Sequence, residues 1–502
     1  MSEKYDRLRA CDDMFAADRA RQETTRWIIA GVIGLTLLGA AVRWRFLDQP
    51  MRYDEAYNYL NYSSRSPGYI VTHYVPNNHV LHTLMVSAVR RVLGSSPPAL
   101  RLPAFLAGVL LIPATAWLGW VLSRRRDVTL LSALGVCVSS ALIEYSSNSR
   151  GYSLLTLFAV IATVLTLQLM ATPSRRRLWV AWGVVGALGA FAVPVMLLIV
   201  SGLTVALLIA AFFSRREKEK LFRGLFIGLA VCALLTVGLY SPILLSEGLD
   251  KLSGTRQMAE GILATQIPTL GNMLQSTWQL WIRDAAIAGP VVLVVGCAAL
   301  LLLSMRQLTP ERVVPLVAGV VALAIAGILG LPLPARTWLM LLPLLLVSAV
   351  AGVCTLSSAA DGYRRSFRSG VVTVLLAIVV SFPLFTVLRR PFLCAEPNGL
   401  VEVEPALDEC HAYGSKRCAL IARYTPATAY YLRQKGIDAL PPPTSPATER
   451  VFIVADGNRS LEQLWHNGVD GFEAYASPQV SRQLSECTLY LAERLPAQAS
   501  AR

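Results

Sequence analysis

The sequence has 502 residues, of which 54% are hydrophobic and only 16% are charged, and its mean hydropathy is +0.50. This balance excludes an ordinary soluble globular protein and indicates a chain whose main solvent is the lipid bilayer. The formal net charge of +14 does not indicate a nucleic-acid partner, because most of the excess basic residues lie in short loops between apolar segments.

The first 26 residues are polar and charged, without the short apolar run and small-residue cleavage site of a removable signal peptide. We expect them to form a cytoplasmic tail, followed by a retained first transmembrane helix.

Apolar stretches of roughly 20 residues, the length that crosses the hydrocarbon core, recur from residue 27 to residue 388. Eleven spans are predicted, at residues 27–47, 103–122, 128–143, 151–171, 178–193, 195–213, 221–245, 286–304, 313–331, 337–357 and 370–388.

The basic residues fix the predicted orientation of these spans. With a cytoplasmic N-terminus, the clusters within 124–126, 175–177, 215–220, 306–312 and 364–368 all lie on the cytoplasmic side, as the positive-inside rule requires. Pro194 marks either a tight outer turn or a kink in one long helix. If the helices on its two sides formed one span, the orientation of every later span would be reversed, and the basic clusters after it would lie on the outer side. Two spans are therefore predicted.

Three segments then lie outside, at 48–101, 246–285 and from 389 onwards. Within the first, residues 57–64 and 80–93 are too short or too basic to span, and we expect helices along the membrane interface. The last segment alternates strand patterns at 418–422 and 451–455 with helical patterns at 427–435 and 461–467, and residues 441–446 read as a loop.

The predicted fold is therefore an α-helical polytopic membrane protein with about eleven transmembrane helices and a small C-terminal α/β extracytoplasmic domain. Its parts are the cytoplasmic tail 1–26, the transmembrane domain 27–388 with outer loop 48–101, and the extracytoplasmic domain 389–502.

Four of the nine cysteines follow the last span, at Cys394, Cys410, Cys418 and Cys487. In an oxidising compartment four cysteines allow three pairings, among which the sequence does not choose. We favour Cys410 with Cys418.

Two adjacent carboxylates, Asp54 and Glu55, follow the first span and are predicted to lie near the outer membrane surface. One interpretation is a solvated loop or a helix N-cap, since Asp54 precedes a helical pattern. The other is a general base that takes a proton from an acceptor hydroxyl, a common task of carboxylates in sugar chemistry.

At this point the sequence resembles a known family. Arg43, followed by PMRYDEAY at 50–57, NHVL at 78–81 and RLP at 101–103, resembles the first outer loop of the C-type glycosyltransferases. SRGYS at 149–153 resembles that group's Ala-Arg-Xaa-Tyr element. The nearest branch is the family 39 group, which includes protein mannosyltransferases, the aminoarabinose transferase of lipid A and bacterial lipopolysaccharide-modifying sugar transferases.

The resemblance implies a transferase that moves a sugar from a polyprenyl-phosphate-linked donor to a glycolipid, glycan or protein acceptor at the outer face, with inversion at the anomeric carbon. By motif position Asp54 is the catalytic base, and Glu55 shapes the acceptor site or holds a cation. Tyr57 and Tyr152 lie within the matched motifs and are assigned to substrate binding on that ground. Glu144, at the outer end of the third span, falls where related enzymes carry a second acid, or is a helix-end residue that reaches water.

A phosphate leaving group requires cations or hydrogen-bond donors. Arg150 in the matched element and Arg336, which ends LPLPAR at 331–336, are the candidates; each is otherwise a side chain that snorkels to lipid headgroups. His79 is assigned to contact with the substrate or its phosphate. Arg101 is assigned to substrate binding or to anchoring the second span.

No metal site is predicted, because His73, His79 and His82 lack cysteine neighbours and a regular ligand spacing. A divalent cation is left open as a cofactor. The expected location is the inner (plasma) membrane, with the N-terminus cytoplasmic, the C-terminal domain periplasmic or extracellular, and membrane lipids as neighbours.

Other functional classes share some of these features. A transporter or flippase of lipid-linked sugars would share the span count, but transporters place polar residues within spans and show repeated halves. Here the ionisable residues gather at outer loops. A receptor or assembly protein leaves Asp54 and Arg150 unexplained, and an inactive family member would carry the same motifs.

Overall fold

The computed structural model describes residues 25–75, 77–214, 216–252, 270–285, 288–307, 310–331, 333–357, 363–390, 392–393, 400–421, 425–437, 440, 443, 445–456, 474–483 and 487–495. The chain divides into two compact units. The helical unit comprises Met1–Arg45, His79–His82 and Pro103–Pro391. The sheet unit comprises Phe46–Asn78, Thr83–Leu102 and Phe392–Arg502.

The α-helices are, in chain order, α1 (Thr25–Trp44), α2 (Tyr53–Asn58), α3 (Pro67–Thr72), α4 (Val80–Leu93), α5 (Pro97–Ser123), α6 (Arg126–Val138), α7 (Ser140–Ser146), α8 (Tyr152–Ala171), α9 (Arg176–Ala192), α10 (Met196–Phe213), α11 (Lys218–Leu252), α12 (Leu270–Ile282), α13 (Ala288–Gln307), α14 (Val314–Ile328), α15 (Leu342–Ser357), α16 (Tyr363–Arg389), α17 (Leu400–Tyr413) and α18 (Thr425–Gln434). Shorter helical turns are the π-helix Tyr59–Ser63 and the 3-10 helices Pro310–Val313 and Ala335–Leu341.

Each of the eleven predicted spans coincides with a helix or a helix pair among the described residues. Nine of these helices are long and apolar enough to cross a membrane, and α6 with α7 makes a tenth if the pair forms one span. The 17 residues of α9 are at the lower limit of the roughly 17–25 that span a bilayer. The predicted polytopic helical fold is confirmed, as is the division of α9 from α10 at Pro194.

The third predicted span is not one straight helix, which corrects the sequence-based expectation for 128–143. α6 and α7 meet at an angle of 60°. Ser139 between them is extended (φ −61°, ψ 118°), which takes the last carbonyl groups of α6 out of the helical hydrogen-bond ladder. The guanidinium of Arg43 in α1 donates to two of them, Val136 (2.9 Å) and Cys137 (3.1 Å). This satisfies backbone groups for which a membrane offers no water.

The sheet unit contains the predicted α/β fold. Its strands are β1 (Cys418–Ile421), β2 (Arg450–Asp456), β3 (Gln479–Gln483) and β4 (Cys487–Glu493), in the order β1-β2-β4-β3. β1 pairs parallel to β2, whereas the other two pairings are antiparallel. The first two strands and α18 were predicted, whereas α17, β3 and β4 were not. The helical pattern at 461–467 lies outside the described residues, as does part of the predicted loop 441–446.

The motif loop packs with the C-terminal residues in one hydrophobic core. Met51, Ala56 and Tyr59 are buried there with Tyr430 and Tyr431. The backbone N–H of Met51 donates to the Tyr431 hydroxyl (2.9 Å), and the Tyr59 and Tyr430 rings meet edge to face with centroids 5.3 Å apart. The loop that the sequence assigned to the transmembrane domain therefore shares its core with the C-terminal domain.

Cys410 and Cys418 are buried free thiols in one core cluster, so the favoured disulfide is not formed. A hydrogen bond between the two thiols, together with burial, raises the pKa of Cys410. Cys394 lies outside the described residues.

Candidate functional site

The predicted site residues lie in both units. The sheet unit holds Asp54, Glu55, Tyr57 and Arg101, and the helical unit holds His79, Glu144, Arg150, Tyr152 and Arg336.

Asp54 and Glu55 occupy the first turn of α2, where the helix dipole favours negative charge. The Glu55 carboxylate accepts a hydrogen bond from the backbone N–H of Arg52, the N-cap residue (3.0 Å), which closes the helix start. Its side chain is fully buried, whereas Asp54 is only half-buried. The two neighbouring acids therefore have different environments.

Arg101 is the main partner of Glu55. Its Nε donates to Glu55 Oε1 (2.9 Å) and one Nη2 proton to Oε2 (2.7 Å), a bidentate arrangement. The second Nη2 proton goes to the carbonyl of Pro50 (2.9 Å), and Nη1 donates to the carbonyls of Leu47 (2.8 Å) and Gln49. A guanidinium has five N–H donors, and all five are used within the sheet unit. This geometry favours anchoring over substrate binding for Arg101.

These contacts also set the protonation state of Glu55. Burial alone would raise the pKa of this carboxyl, but the charge and hydrogen bonds of Arg101, and then Arg52, outweigh burial and hold the pKa below its usual 4.5. Glu55 is therefore an anion at neutral pH with its oxygens already bonded to cationic and N–H groups. Such a carboxylate is a poor fit for a metal ligand.

Tyr57, on the same helix as Asp54, stacks on Tyr53 with ring centroids 6.4 Å apart and an interplanar angle of 11°. Tyr57 is half-buried and Tyr53 is 42% exposed. The half-buried carboxylate of Asp54 thus lies on a helix that presents aromatic surface.

In the helical unit, two arginines converge on Tyr152, the first residue of α8. Arg336 Nε donates to the Tyr152 hydroxyl (2.9 Å). The guanidinium carbons of Arg150 and Arg336 each lie 5.9 Å from the centre of the Tyr152 ring. Arg150 is 3% exposed. Arg336 is half-buried. Two guanidinium groups around one tyrosine, one of them buried, form a potential site for an anion.

His79 belongs to the same cluster, with its ring edge to face with Tyr152 at 4.9 Å. Nδ1 accepts a hydrogen bond from the backbone N–H of Gly151 (2.9 Å), so the ring proton is on Nε2. Burial, followed by the charges of Arg150, His82 and Arg336, holds the pKa of His79 well below 6.5. His79 is therefore a neutral hydrogen-bond donor at Nε2 rather than a cation. A Cβ at Gly151 would lie 3.0 Å from this ring, which explains the glycine in the motif.

Glu144 is completely buried near the end of α7 and pairs with Arg283, which sequence reasoning missed. Arg283 and Asp284 follow α12, and Asp284 also pairs with Arg390 at the end of α16. Asp284 has a left-handed backbone (φ 66°), which is uncommon for a residue with a side chain. The alternative of a helix-end residue that reaches water does not describe Glu144. No local motif marks Arg283 as its partner, because 139 residues separate them.

A metal centre is not evident in the described part of the chain, where no three His, Cys, Asp or Glu side chains group as metal ligands. The three histidines considered from the sequence divide between the units, since His73 lies in the sheet unit and the other two in the helical unit.

No family model and no curated protein sequence matches this chain. Solved structures do match. ArnT from Cupriavidus metallidurans in the apo state covers 93% of this chain and 98% of that chain, with 11% identity and a TM-score of 0.54. The same protein bound to undecaprenyl phosphate gives 12% identity and a TM-score of 0.52 over the same shares. The Archaeoglobus fulgidus oligosaccharyltransferase complex with Zn and sulfate covers 92% of this chain and 72% of that chain, with 10% identity and a TM-score of 0.55.

At these identities the likeness establishes the fold and not the activity. The chain has the fold of these solved structures, which is the GT-C glycosyltransferase fold that the motif resemblance implied.

Proposed function

We propose that this protein is an inverting glycosyltransferase that moves a sugar from a polyprenyl-phosphate-linked donor to an acceptor at the outer face of the membrane. The observation that carries the proposal is the convergence of Arg150 and Arg336 on Tyr152. It occurs in a fold shared over 93% of the chain with a protein whose structure contains undecaprenyl phosphate.

Arg150 and Arg336 hold the donor phosphate in this proposal. When the bond from the anomeric carbon to the phosphate oxygen breaks, negative charge develops on the leaving phosphate. Guanidinium groups that the protein holds in place stabilise that charge more strongly than the same groups would in water. Tyr152 orients Arg336, and the neutral His79 adds an Nε2–H donor.

Asp54 is the proposed general base. It takes the proton of an acceptor hydroxyl, whose oxygen then forms a bond with the anomeric carbon from the face opposite the phosphate, so the configuration inverts. The half-buried environment of Asp54 suits this role better than that of Glu55, whose oxygens are engaged by Arg101 and Arg52. We therefore assign Glu55 to positioning α2. The acceptor is a glycolipid, a glycan or a protein.

The charge pattern supports the proposed location. With basic loops on the cytoplasmic side, the N-terminus is cytoplasmic and the acidic motif and C-terminal domain lie on the outer side of the inner membrane. A polyprenyl-linked donor suits that side, since a lipid anchor keeps an activated sugar available at the membrane surface.

The test uses membranes that contain the wild type, Asp54→Asn or Asp48→Asn, incubated with a panel of radiolabelled polyprenyl-phosphate sugars and with acceptor-bearing membranes. Free polyprenyl phosphate is measured. Asp48 is an exposed acid of the same loop, so its substitution is a matched control. We expect release by the wild type and Asp48→Asn and loss of release with Asp54→Asn, at unchanged thermal stability.

Equal release by wild type and Asp54→Asn would contradict the assignment of the base. Absence of release across an adequate panel would favour a transporter of lipid-linked sugars or an inactive homologue, and transport of the same labelled lipids across vesicles would then separate these two.

A further inference from the structure

A cavity of about 580 Å³ lies in the helical unit, away from the cluster around Tyr152. It is lined by residues from the ends of α8, α10 and α13, the start of α11 and the turn Pro310–Val313. Met170 lines it near the end of α8, the helix that begins at Tyr152. Eighteen residues at about 1.5 Å of rise place the two about 27 Å apart. The volume falls in the range of roughly 300–1,000 Å³ typical of ligand sites.

The body of this cavity is apolar and continues onto the lipid-facing surface. Phe213 and Met305 line it and are 74% and 66% exposed. In a membrane-spanning protein, such exposed side chains contact lipid. An acyl chain can therefore extend from the bilayer into the cavity without leaving apolar surroundings.

The polar lining consists of oxygen acceptors and hydroxyl groups. Glu217 and Glu311 contribute carboxylates, Ser214 and Ser304 contribute hydroxyls, and no Lys or Arg lines the cavity among the described residues. Ser304 is 4% exposed, and its hydroxyl has no hydrogen-bond partner within the described part of the chain. A buried hydroxyl normally has such a partner, and a ligand oxygen would supply it.

Basic residues lie beside these acids along the chain. Arg216 precedes Glu217, Arg312 follows Glu311, and Lys220 pairs with Glu217 at 3.1 Å. The charge pattern is thus acidic at the cavity and basic next to it. A zwitterionic head group with an N–H-donating cation and a phosphate complements this charge pattern, whereas the carboxylates would repel a purely anionic head group.

We propose that this cavity binds one membrane phospholipid with a primary ammonium head group, of the phosphatidylethanolamine type. The ammonium donates to the carboxylates of Glu217 and Glu311, the phosphate lies near the neighbouring basic residues, and one acyl chain occupies the apolar body. A quaternary choline head group has no N–H to donate and binds more weakly. The site is independent of sugar transfer.

The test is native mass spectrometry of the purified full-length protein in detergent, titrated with phosphatidylethanolamine, phosphatidylcholine or phosphatidylglycerol of identical acyl chains. We expect the ethanolamine lipid to bind about tenfold more tightly than the choline lipid, as expected for lost charge-assisted hydrogen bonds. The double variant Glu217→Gln/Glu311→Gln should lose this preference. Glu219→Gln, an exposed acid of the same helix start, is the matched control and should keep it.

A second variant, Ala210→Phe, fills the cavity without changing its charge and should abolish retention of the lipid. The proposal is overturned if the glycerol lipid binds most tightly, if choline and ethanolamine lipids bind equally, if no lipid is retained, or if both variants bind like the wild type. Asp54→Asn should bind the lipid like the wild type. The lipid-binding measurement therefore stays interpretable even if the proposed transferase function fails its own test.

Discussion

Arg101 and Glu55 form a fully buried bidentate ion pair, at 2.9 and 2.7 Å, although 46 residues separate them along the chain. The pair ties the start of α5 to the first turn of α2, the helix that carries Asp54. Its strength depends on both partners, because a buried charge left alone has neither water nor a counterion.

Glu55→Gln should therefore lower the free energy of unfolding of the sheet unit by about 3 kcal/mol, since Arg101 keeps its charge and loses its counterion. Chemical denaturation followed by limited proteolysis measures this loss. Glu449→Gln, in the exposed pair with Arg417, is the control and should cost much less, because solvent screens an exposed ion pair. Similar losses for both variants would contradict the importance of the buried pair. Adding Arg101→Met to Glu55→Gln should recover part of the loss.

Tyr152→Phe keeps the aromatic ring and removes the hydroxyl that accepts from Arg336 Nε. If this contact positions Arg336 for the donor phosphate, KM for the lipid donor should rise about fivefold, equivalent to roughly 1 kcal/mol. Arg336→Lys should act similarly, and the double variant should be little worse than either single one. Tyr240→Phe, which removes a hydroxyl bonded to the Ala190 carbonyl, is the control. Fully additive effects would show that the two residues act separately.

Arg43→Met should destabilise the bend between α6 and α7, because the carbonyls of Val136 and Cys137 lose their donor. The expected cost is about 3 kcal/mol in free energy of unfolding. Maleimide labelling of the buried Cys137 gives a local readout and should become faster. Arg45→Met, an exposed arginine just beyond the end of the same helix, should change neither quantity. If Arg43→Met labels as slowly as the wild type and keeps its free energy of unfolding, Arg43 does not stabilise the bend between α6 and α7.

His79 predicts a pH dependence of stability. Its pKa in the folded protein lies well below the 6.5 of an unfolded chain, so the unfolded state binds more protons between these two values. Stability should be fully retained above pH of about 6.5 and decline as the pH falls towards the folded-state pKa, by at most about 1.4 kcal/mol per pH unit. Melting temperatures from pH 8 to pH 5 test this. His79→Gln should flatten the curve, whereas His411→Gln, at an exposed histidine, should leave it unchanged. An identical slope in His79→Gln and wild type would assign the effect to other groups.

The hydropathy pattern predicted the helices well because each span needs only its own residues to be apolar. It missed the break at Ser139, since the residues on both sides are apolar and the bend depends on Arg43 in another helix. It also missed β3 and β4, which pair with each other as neighbours along the chain; only β4 has a distant partner, since it pairs with β2 as well.

The motifs selected the chemistry-bearing residues for a similar local reason. His79, Arg150, Tyr152 and Arg336 were chosen by motif or loop position, and the structure places them in one cluster. The protonation state of His79 was not predictable from the sequence. The pKa of His79 is lowered because the ring is buried and lies near two arginines, and no spacing in the sequence reveals either fact.

By itself the sequence determined the membrane class, the helix positions and the acidic motif, because composition and periodicity act over a few residues at a time. The tertiary structure decided how the two adjacent acids differ. Glu55 acquires Arg101 from 46 residues away and Glu144 acquires Arg283 from 139 residues away. Burial and counterions are properties of the packed chain, and they determine which carboxylate is an anchor and which one remains partly accessible for chemistry.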